Sequence, residues 1–298
     1  MIVRDKPTLL QLLFAVKGSV LPRIAPRIVI LTALAAGVTF VDQNGLLPLA
    51  HPSAAPFAVF GVALSMFLGF RNNAAYDRWW EGRRLWGQLI ADLRALGRET
   101  DIFISEPDRR KQVLRLALAF LHLHRANLRQ LPNDAAAKTL TGEDFSATPH
   151  PPCGALNQLA DKVSAAQRAG EIDGFGAKAL TERLGAITLA QAGCERIATT
   201  PLPYVYSLLI FRTTYLYCLL LPLGLVEQAG WLTPLFVAVV AYVFLGLAEV
   251  TEELAEPFGT SVNGLPLDAM CRVVEISLAP RLGLEVPEPL LPKDYHLS

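Results

Sequence analysis

The sequence predicts an all-α membrane protein, with four transmembrane helices continuous with a cytoplasmic helical bundle. Three observations carry this. Of 298 residues, 52% are hydrophobic and 18% charged, against about 25% charged in ordinary soluble domains. None of the 27 Lys and Arg residues falls between Ile28 and Phe70, or between Thr213 and Cys271. No strand-like alternation runs for any length, whereas apolar residues recur at helical spacing. Basic residues beside membrane segments mark the cytoplasmic side. Arg23 and Arg27 precede the first gap and Arg71, Arg78, Arg83 and Arg84 follow it; Arg196 and Arg212 precede the second and Arg272 follows it. The connectors Asp42–Pro56 and Glu227–Trp231 therefore face outward, and both termini face the cytoplasm.

Residues 1–25 form an N-terminal cytoplasmic and interfacial segment. Within it, Leu9–Val16 is too short for a signal peptide and no small-residue cleavage site follows. It reads as an amphipathic helix lying at the membrane surface. Residues 26–80 hold the first two crossings, each needing about 20 apolar residues. Ile28–Val41 is uncharged but short, and requires a start at Pro26 and a shallow end. Pro52–Phe70 crosses cleanly, with Pro56 near the helix start, where proline costs little. Residues 81–200 form the cytoplasmic helical region. Leu85, Leu89, Leu93 and Leu96 share one helical face, with Arg83, Arg84, Asp92, Arg94, Arg98 and Glu99 on others. Asp108–Leu131 is a second helix, Pro132–Pro152 a loop, and Ala155–Ala169 and Ala177–Ala198 two further helices. Residues 201–256 hold crossings three and four. Pro201–Val226 is long enough but carries Arg212 and Pro222, while Ala229–Ala248 holds no charge. For the two weaker stretches the competing reading is a buried soluble helix. Residues 257–298 form a cytoplasmic C-terminal segment.

The formal net charge is zero, so no global basic field for nucleic acid is indicated. Cys153, Cys194, Cys218 and Cys271 show no zinc spacing and read as buried, reduced thiols. His122 and His124 are two apart on different helical faces, and read as structural. There is no HExxH, P-loop or GxGxxG motif. No catalytic group, metal site or cofactor is indicated, and the chain does not read as an enzyme.

The second crossing carries the functional signal. Val62, Met66 and Phe70 stand at i, i+4 and i+8, on one helical face. Gly61, Ser65 and Gly69 form a neighbouring stripe of small residues that lets helices approach closely. The apolar stripe faces either a pore or lipid and other helices. Asn73 and Asp77 continue below Phe70; Asp77 either faces the pore mouth or pairs with Arg84. Glu249, Glu252, Glu253 and Glu256 form an acidic stripe at the end of crossing four. Acids there need partners or water. They either pair with arginines below crossing two, such as Arg78 and Arg84, tying subunits together, or line a cation vestibule. Arg212 is placed at the inner interface, snorkelling or meeting one of these acids.

The run Phe67–Trp80, FLGFRNNAAYDRWW, resembles the bestrophin signature. Cys194–Tyr204, CERIATTPLPY, is similar to the family's segment entering the third crossing, and Glu256-Pro-Phe-Gly259 to its motif after the fourth. The similarity covers roughly Lys17 to Leu278 and lies nearest the bacterial branch. It implies a homopentameric ion channel in a bacterial inner membrane, with self, the bilayer and monovalent ions as its partners. Val62, Met66 and Phe70 then correspond to the three rings of a hydrophobic neck, which gates by dewetting. Val62 and Met66 depart mildly from the Ile or Phe usual there. Phe175 corresponds to the cytoplasmic aperture, unless it is an ordinary core aromatic. Selectivity falls to Asn73 and Asp77, and the bacterial relationship implies cation preference; an anion channel of the same fold is the alternative. After Pro257-Phe-Gly the chain has only Asp268 where animal members have a run of acids, too few for calcium, so calcium gating through this loop is not expected. A transporter or a membrane-anchored helical scaffold remains a rival. The former is disfavoured by the absence of internal repeats.

Overall fold

The computed structural model describes residues 1–3, 8–48, 50–132 and 135–298. Leu49, within the expected outer connector, and Asn133 and Asp134, within the expected loop, lie outside the described residues. The described chain runs as α1 (Leu9–Leu13), α2 (Leu21–Gln43), α3 (Ala54–Phe103), α4 (Pro107–Leu128), α5 (Ala135–Thr141), α6 (Pro151–Arg168), α7 (Gly174–Thr199), α8 (Tyr204–Ala229), α9 (Thr233–Ala255) and α10 (Leu267–Leu282). Among the described residues the only β-type pairings are isolated bridges of His296 with Ile2 and Lys293.

The chain divides into two compact units. One comprises Asp5–Trp79 and Pro201–Glu256, and the direction of its helices follows from their contacts. Arg23 pairs with Glu253 and Arg27 with Glu249, so α2 and α9 are antiparallel. A Cβ on Gly224 would lie 2.5 Å from the Phe57 ring, and one on Gly61 2.7 Å from the Tyr217 hydroxyl. With Arg71 bonded to Ser207, these contacts make the first half of α3 antiparallel to α8. Helices α8 and α9 form a hairpin about Gly230, whose φ of 50° is a left-handed value that suits glycine. The Tyr217 and Phe244 rings meet across it, 5.6 Å between centroids. The four segments thus alternate in direction. They enclose one apolar core built from Ile24, Leu31 and Ala35 of α2, Leu64 and Leu68 of α3, Ile210 and Leu221 of α8, and Val237, Ala241 and Leu245 of α9.

Three helical stretches here are long and apolar enough to cross a membrane: Leu21–Gln43, the one beginning at Ala54, and Tyr204–Ala255, which contains the α8–α9 hairpin. The first is longer than the uncharged run suggests. It starts at Leu21, with Pro22 in its first turn and Pro26 inside it. Pro26, in the second turn, removes the backbone bond to the Pro22 carbonyl.

The other unit comprises Met1–Arg4, Trp80–Thr200 and Pro257–Ser298. Helix α4 is buried from Val113 to Leu128 apart from Arg115, Arg125 and Asn127, the pattern of a helix at the centre of a bundle. Leu89, Leu93 and Leu96 of α3 are fully buried, as their spacing predicts, whereas Leu85 is half-buried and Trp86 beside it is fully buried. Asp92 is not on a solvent face: it is buried, and Arg183 of α7 donates to it at 2.6 Å while also gripping Glu99. Helix α5 occupies part of the stretch expected to be a loop. Its three alanines have the highest helix propensity of any residue, and Ala137 is buried. Helix α10 lies in the C-terminal segment, and Leu267, Met270, Cys271, Val274 and Leu278 of its buried side recur at helical spacing. Helix α3 continues unbroken from one unit into the other, whereas Pro201 and Pro203 end α7 before α8 begins.

Candidate functional site

At about 100° per residue, Leu64, Leu68, Arg71 and Ala75 project to one side of α3, and all four are buried in their own chain. Val62, Met66, Phe70, Asn73 and Asp77 fall within an arc of roughly 80° centred almost opposite. Val62 is 62% exposed, Met66 56% and Phe70 66%; Asn73 and Asp77 are exposed as well. The stripe and the two polar residues below it therefore share one outward face, unused by the rest of the chain. Within the small-residue stripe, Gly61 abuts Tyr217 of α8, whereas Ser65 donates to the Val62 carbonyl at 2.7 Å.

The buried side of α3 ends in charge. Arg71 is 6% exposed and donates from Nη2 to the Ser207 hydroxyl at 2.6 Å and to Glu252. Two turns on, Arg78 donates from Nε to the Ala255 carbonyl at 2.6 Å, filling one of the acceptors left open at the end of α9. The acidic stripe is occupied within the chain: Glu249 by Arg23 and Arg27, Glu253 by Arg23, and Glu252 by Arg71. Arg23, Arg27 and Arg71 are thus arginine partners of these acids, Arg78 reaches the Ala255 carbonyl, and Arg84 is exposed on the part of α3 that belongs to the other unit. Glu256 caps α9 and is exposed, and Arg212 is exposed on α8. The arginines of the first two turns of α2 and Ser207 carry the contacts that the sequence reading missed. The available signal was Arg71 itself, one residue after Phe70 and in phase with Leu64 and Leu68.

In the second unit, Phe175 lies in the first turn of α7. Asp173 caps that helix by accepting from the Gly176 amide at 2.7 Å. Gly176 is required by close approach, since a Cβ there would come within 2.8 Å of the Phe103 side chain. Phe175 is 84% exposed, so it is not a core aromatic of its own chain.

Asp268 stands in the first turn of α10. One carboxylate oxygen accepts from Arg125 at 2.5 Å and the other from Arg129 at 2.8 Å. Burial opposes its ionisation, but Arg129 and Arg125 outweigh that and hold the carboxyl below its usual range. Glu275 accepts from His122 at 2.9 Å and from Arg272 at 2.5 Å, and the His122 bond in particular lowers its pKa. His124 is sandwiched between Trp86 and Phe120, and burial pushes its pKa down to about 3, so it stays neutral. Burial also pushes the Cys194 thiol up to about 12 and raises that of Cys271. Both remain unreactive thiols. Among the described residues, no three His, Cys, Asp or Glu side chains are grouped to hold a metal ion.

Residues 1–280 match the family described as Bacterial/Fungal Bestrophin protein. The chain is 46% identical over 302 residues to a protein of Mesorhizobium japonicum named voltage-dependent anion channel-forming protein mll4386, covering 99% of this chain and 96% of that one. It is 37% identical over 308 residues to voltage-dependent anion channel-forming protein YneE of Escherichia coli K12, covering both chains fully. The crystal structure of a bacterial bestrophin homologue from Klebsiella pneumoniae superposes with a TM-score of 0.81 at 30% identity, over 88% of this chain and 99% of that one. An all-helical fold with a long α3 carrying this motif, matched along nearly its whole length by sequence and by structure, places the chain in the bestrophin family.

Proposed function

We propose that this chain forms a pentameric ion channel whose neck is lined by Val62, Met66 and Phe70 of five α3 helices. The single observation that carries this is the outward stripe of α3: three large apolar side chains exposed on the face opposite the buried core, with Asn73 and Asp77 below them. A ring of such side chains offers an ion nothing to replace its hydration shell, so a narrow ring dewets and stops conduction while a slightly wider one passes both water and ions. No bond is made or broken, and the protein is not an enzyme. Phe175, exposed at the start of α7, is assigned to a second ring, the cytoplasmic aperture.

Four crossings are the reading that fits the alternation of α2, α3, α8 and α9. The chain enters α2 and α8 and leaves α9 at the end where Arg23, Arg71 and Ser207 meet the acids of α9. Basic residues at that end support a cytoplasmic location for both termini in a bacterial inner membrane. Five Asp77 carboxylates on the pore-facing stripe raise the local concentration of cations, which supports cation preference. The relatives' names favour a second reading, an anion channel of the same fold. Asp268 has both oxygens engaged by arginines, which supports a channel not gated by calcium through the adjoining loop. A calcium-dependent open probability that disappears in Asp268→Asn overturns that point.

The deciding experiment is planar-bilayer recording of the purified protein in a gradient of potassium chloride. Unitary current steps with a reversal potential on the potassium side are expected. A chloride-side reversal establishes the anion reading, and slow saturable flux or no current removes the channel.

A further inference from the structure

We propose that Arg71 is the positioning residue of the neck, pinning α3 to α8 and α9 and so setting how far Phe70 reaches into the pore. The inference rests on the neck reading above and adds to it the device that holds the ring.

Phe70 and Arg71 are consecutive, so their side chains leave α3 about 100° apart. Phe70 is turned out of the chain while Arg71 is buried among the helices of its own unit. A single guanidinium nitrogen, Nη2, reaches both Ser207 at the start of α8 and Glu252 at the end of α9. Arg78 repeats the attachment on the same face two turns later, through the Ala255 carbonyl. Below the last neck ring α3 is thus fastened to α9 at two points. Above it the packing is apolar, through Leu64 and Leu68 against α8 and α9 residues. Rotation or tilt of α3 at the level of Phe70 has to break or stretch the Arg71 contacts first.

The pin is incompletely satisfied. Arg71 Nε and Nη1 are buried and have no hydrogen-bond partner among the described residues. Buried donors normally find acceptors, and Arg carries five N–H groups to place. A guanidinium held by one nitrogen, with its remaining donors unused, has a second pairing geometry open to it. Such junctions, with two discrete arrangements, are what switching transitions use. Ser207 is the replaceable half of the pin: it is a neutral acceptor at the first turn of α8, while Glu252 supplies the charge.

The test is unitary conductance and open probability of the full-length channel in planar bilayers for Arg71→Met, Arg71→Lys, Glu252→Gln, Ser207→Ala and the double variant Arg71→Met/Glu252→Gln, with Phe70→Ala recorded alongside. Coupling energies of this kind change an open-to-closed ratio about twofold to thirtyfold. We expect Arg71→Met and Glu252→Gln to shift it by that order in the same direction, the double variant to go no further than either single, and Arg71→Lys to restore most of the wild-type behaviour. Ser207→Ala and Glu252→Gln keep the test open where Arg71→Met fails to assemble. Additive effects, or unchanged conductance and open probability with only a lowered melting temperature, overturn the pin and leave a structural ion pair. Altered current in Phe70→Ala with normal gating in every Arg71, Ser207 and Glu252 variant rejects the pin while the neck stands. Unchanged current in Phe70→Ala pentamers rejects the neck, and the pin with it.

Discussion

At the scale of single residues, the reading turns on Phe70, Met66 and Asp77. Truncating either large apolar side chain widens a dewetting ring. Phe70→Ala and Met66→Ala are therefore expected to raise unitary conductance or remove rectification in bilayer recordings, with pentamers intact by gel filtration. Removing five pore-facing carboxylates with Asp77→Asn is expected to move the reversal potential in a salt gradient toward that of an unselective pore. Away from the neck, Asp268 and Glu275 carry lowered pKa values, so their charged forms contribute stability above the usual carboxyl range. That contribution is lost as pH falls through the lowered folded values. Thermal melting followed by circular dichroism is expected to drop steeply in that acid window, and to drop less steeply in Asp268→Asn/Glu275→Gln.

At the scale of elements, close helix approach in the membrane-type unit depends on glycine. Gly224 leaves no room for a Cβ against Phe57. Gly224→Ala is expected to push α8 away from α3 and cost about 1–3 kcal/mol, the usual penalty of overpacking, read as a lower melting temperature in detergent. In the other unit the Arg183 clamp joins α7 to α3. Asp92 is 2% exposed, and Arg183→Ala removes its cation while leaving it the Gln88 amide at 3.1 Å. Breaking such a pair from one side costs about 3–5 kcal/mol, so that variant is expected to melt earlier than Asp92→Asn, which removes the buried charge and leaves Arg183 on Glu99. These element-level contacts were only partly legible in advance. Leu89, Leu93 and Leu96 declared their buried face by spacing. Asp92 did not, because a charge on a helix reads as solvated until a cation from a distant segment is brought to it. Helix α5 was hidden by its flanking loop chemistry, Pro132 on one side and Pro149, Pro151 and Pro152 on the other.

At the scale of the whole molecule, the stripe has a function only if copies of the chain surround an axis. Multi-angle light scattering in detergent is expected to give about five times the protomer mass of 32.5 kDa. A monodisperse protomer that carries no current removes the ring and the neck together.

The sequence by itself determined that this chain is helical and membrane-borne, and it picked out an apolar stripe on α3 that the chain leaves exposed. Charge exclusion and helical period are local properties of consecutive residues, and local properties can be read from one chain. The resemblance carried by FLGFRNNAAYDRWW pointed to a family that the comparisons then bore out. Only the tertiary structure decided which arginines meet which acids. Arg23, Arg27 and Arg71 meet Glu249, Glu252 and Glu253 because the start of α2, the stretch of α3 around Arg71 and the end of α9 come together, across more than 180 residues of chain. No periodicity encodes a pairing between helices so far apart, because the partner is selected by packing direction and register, which exist only once the helices have come together.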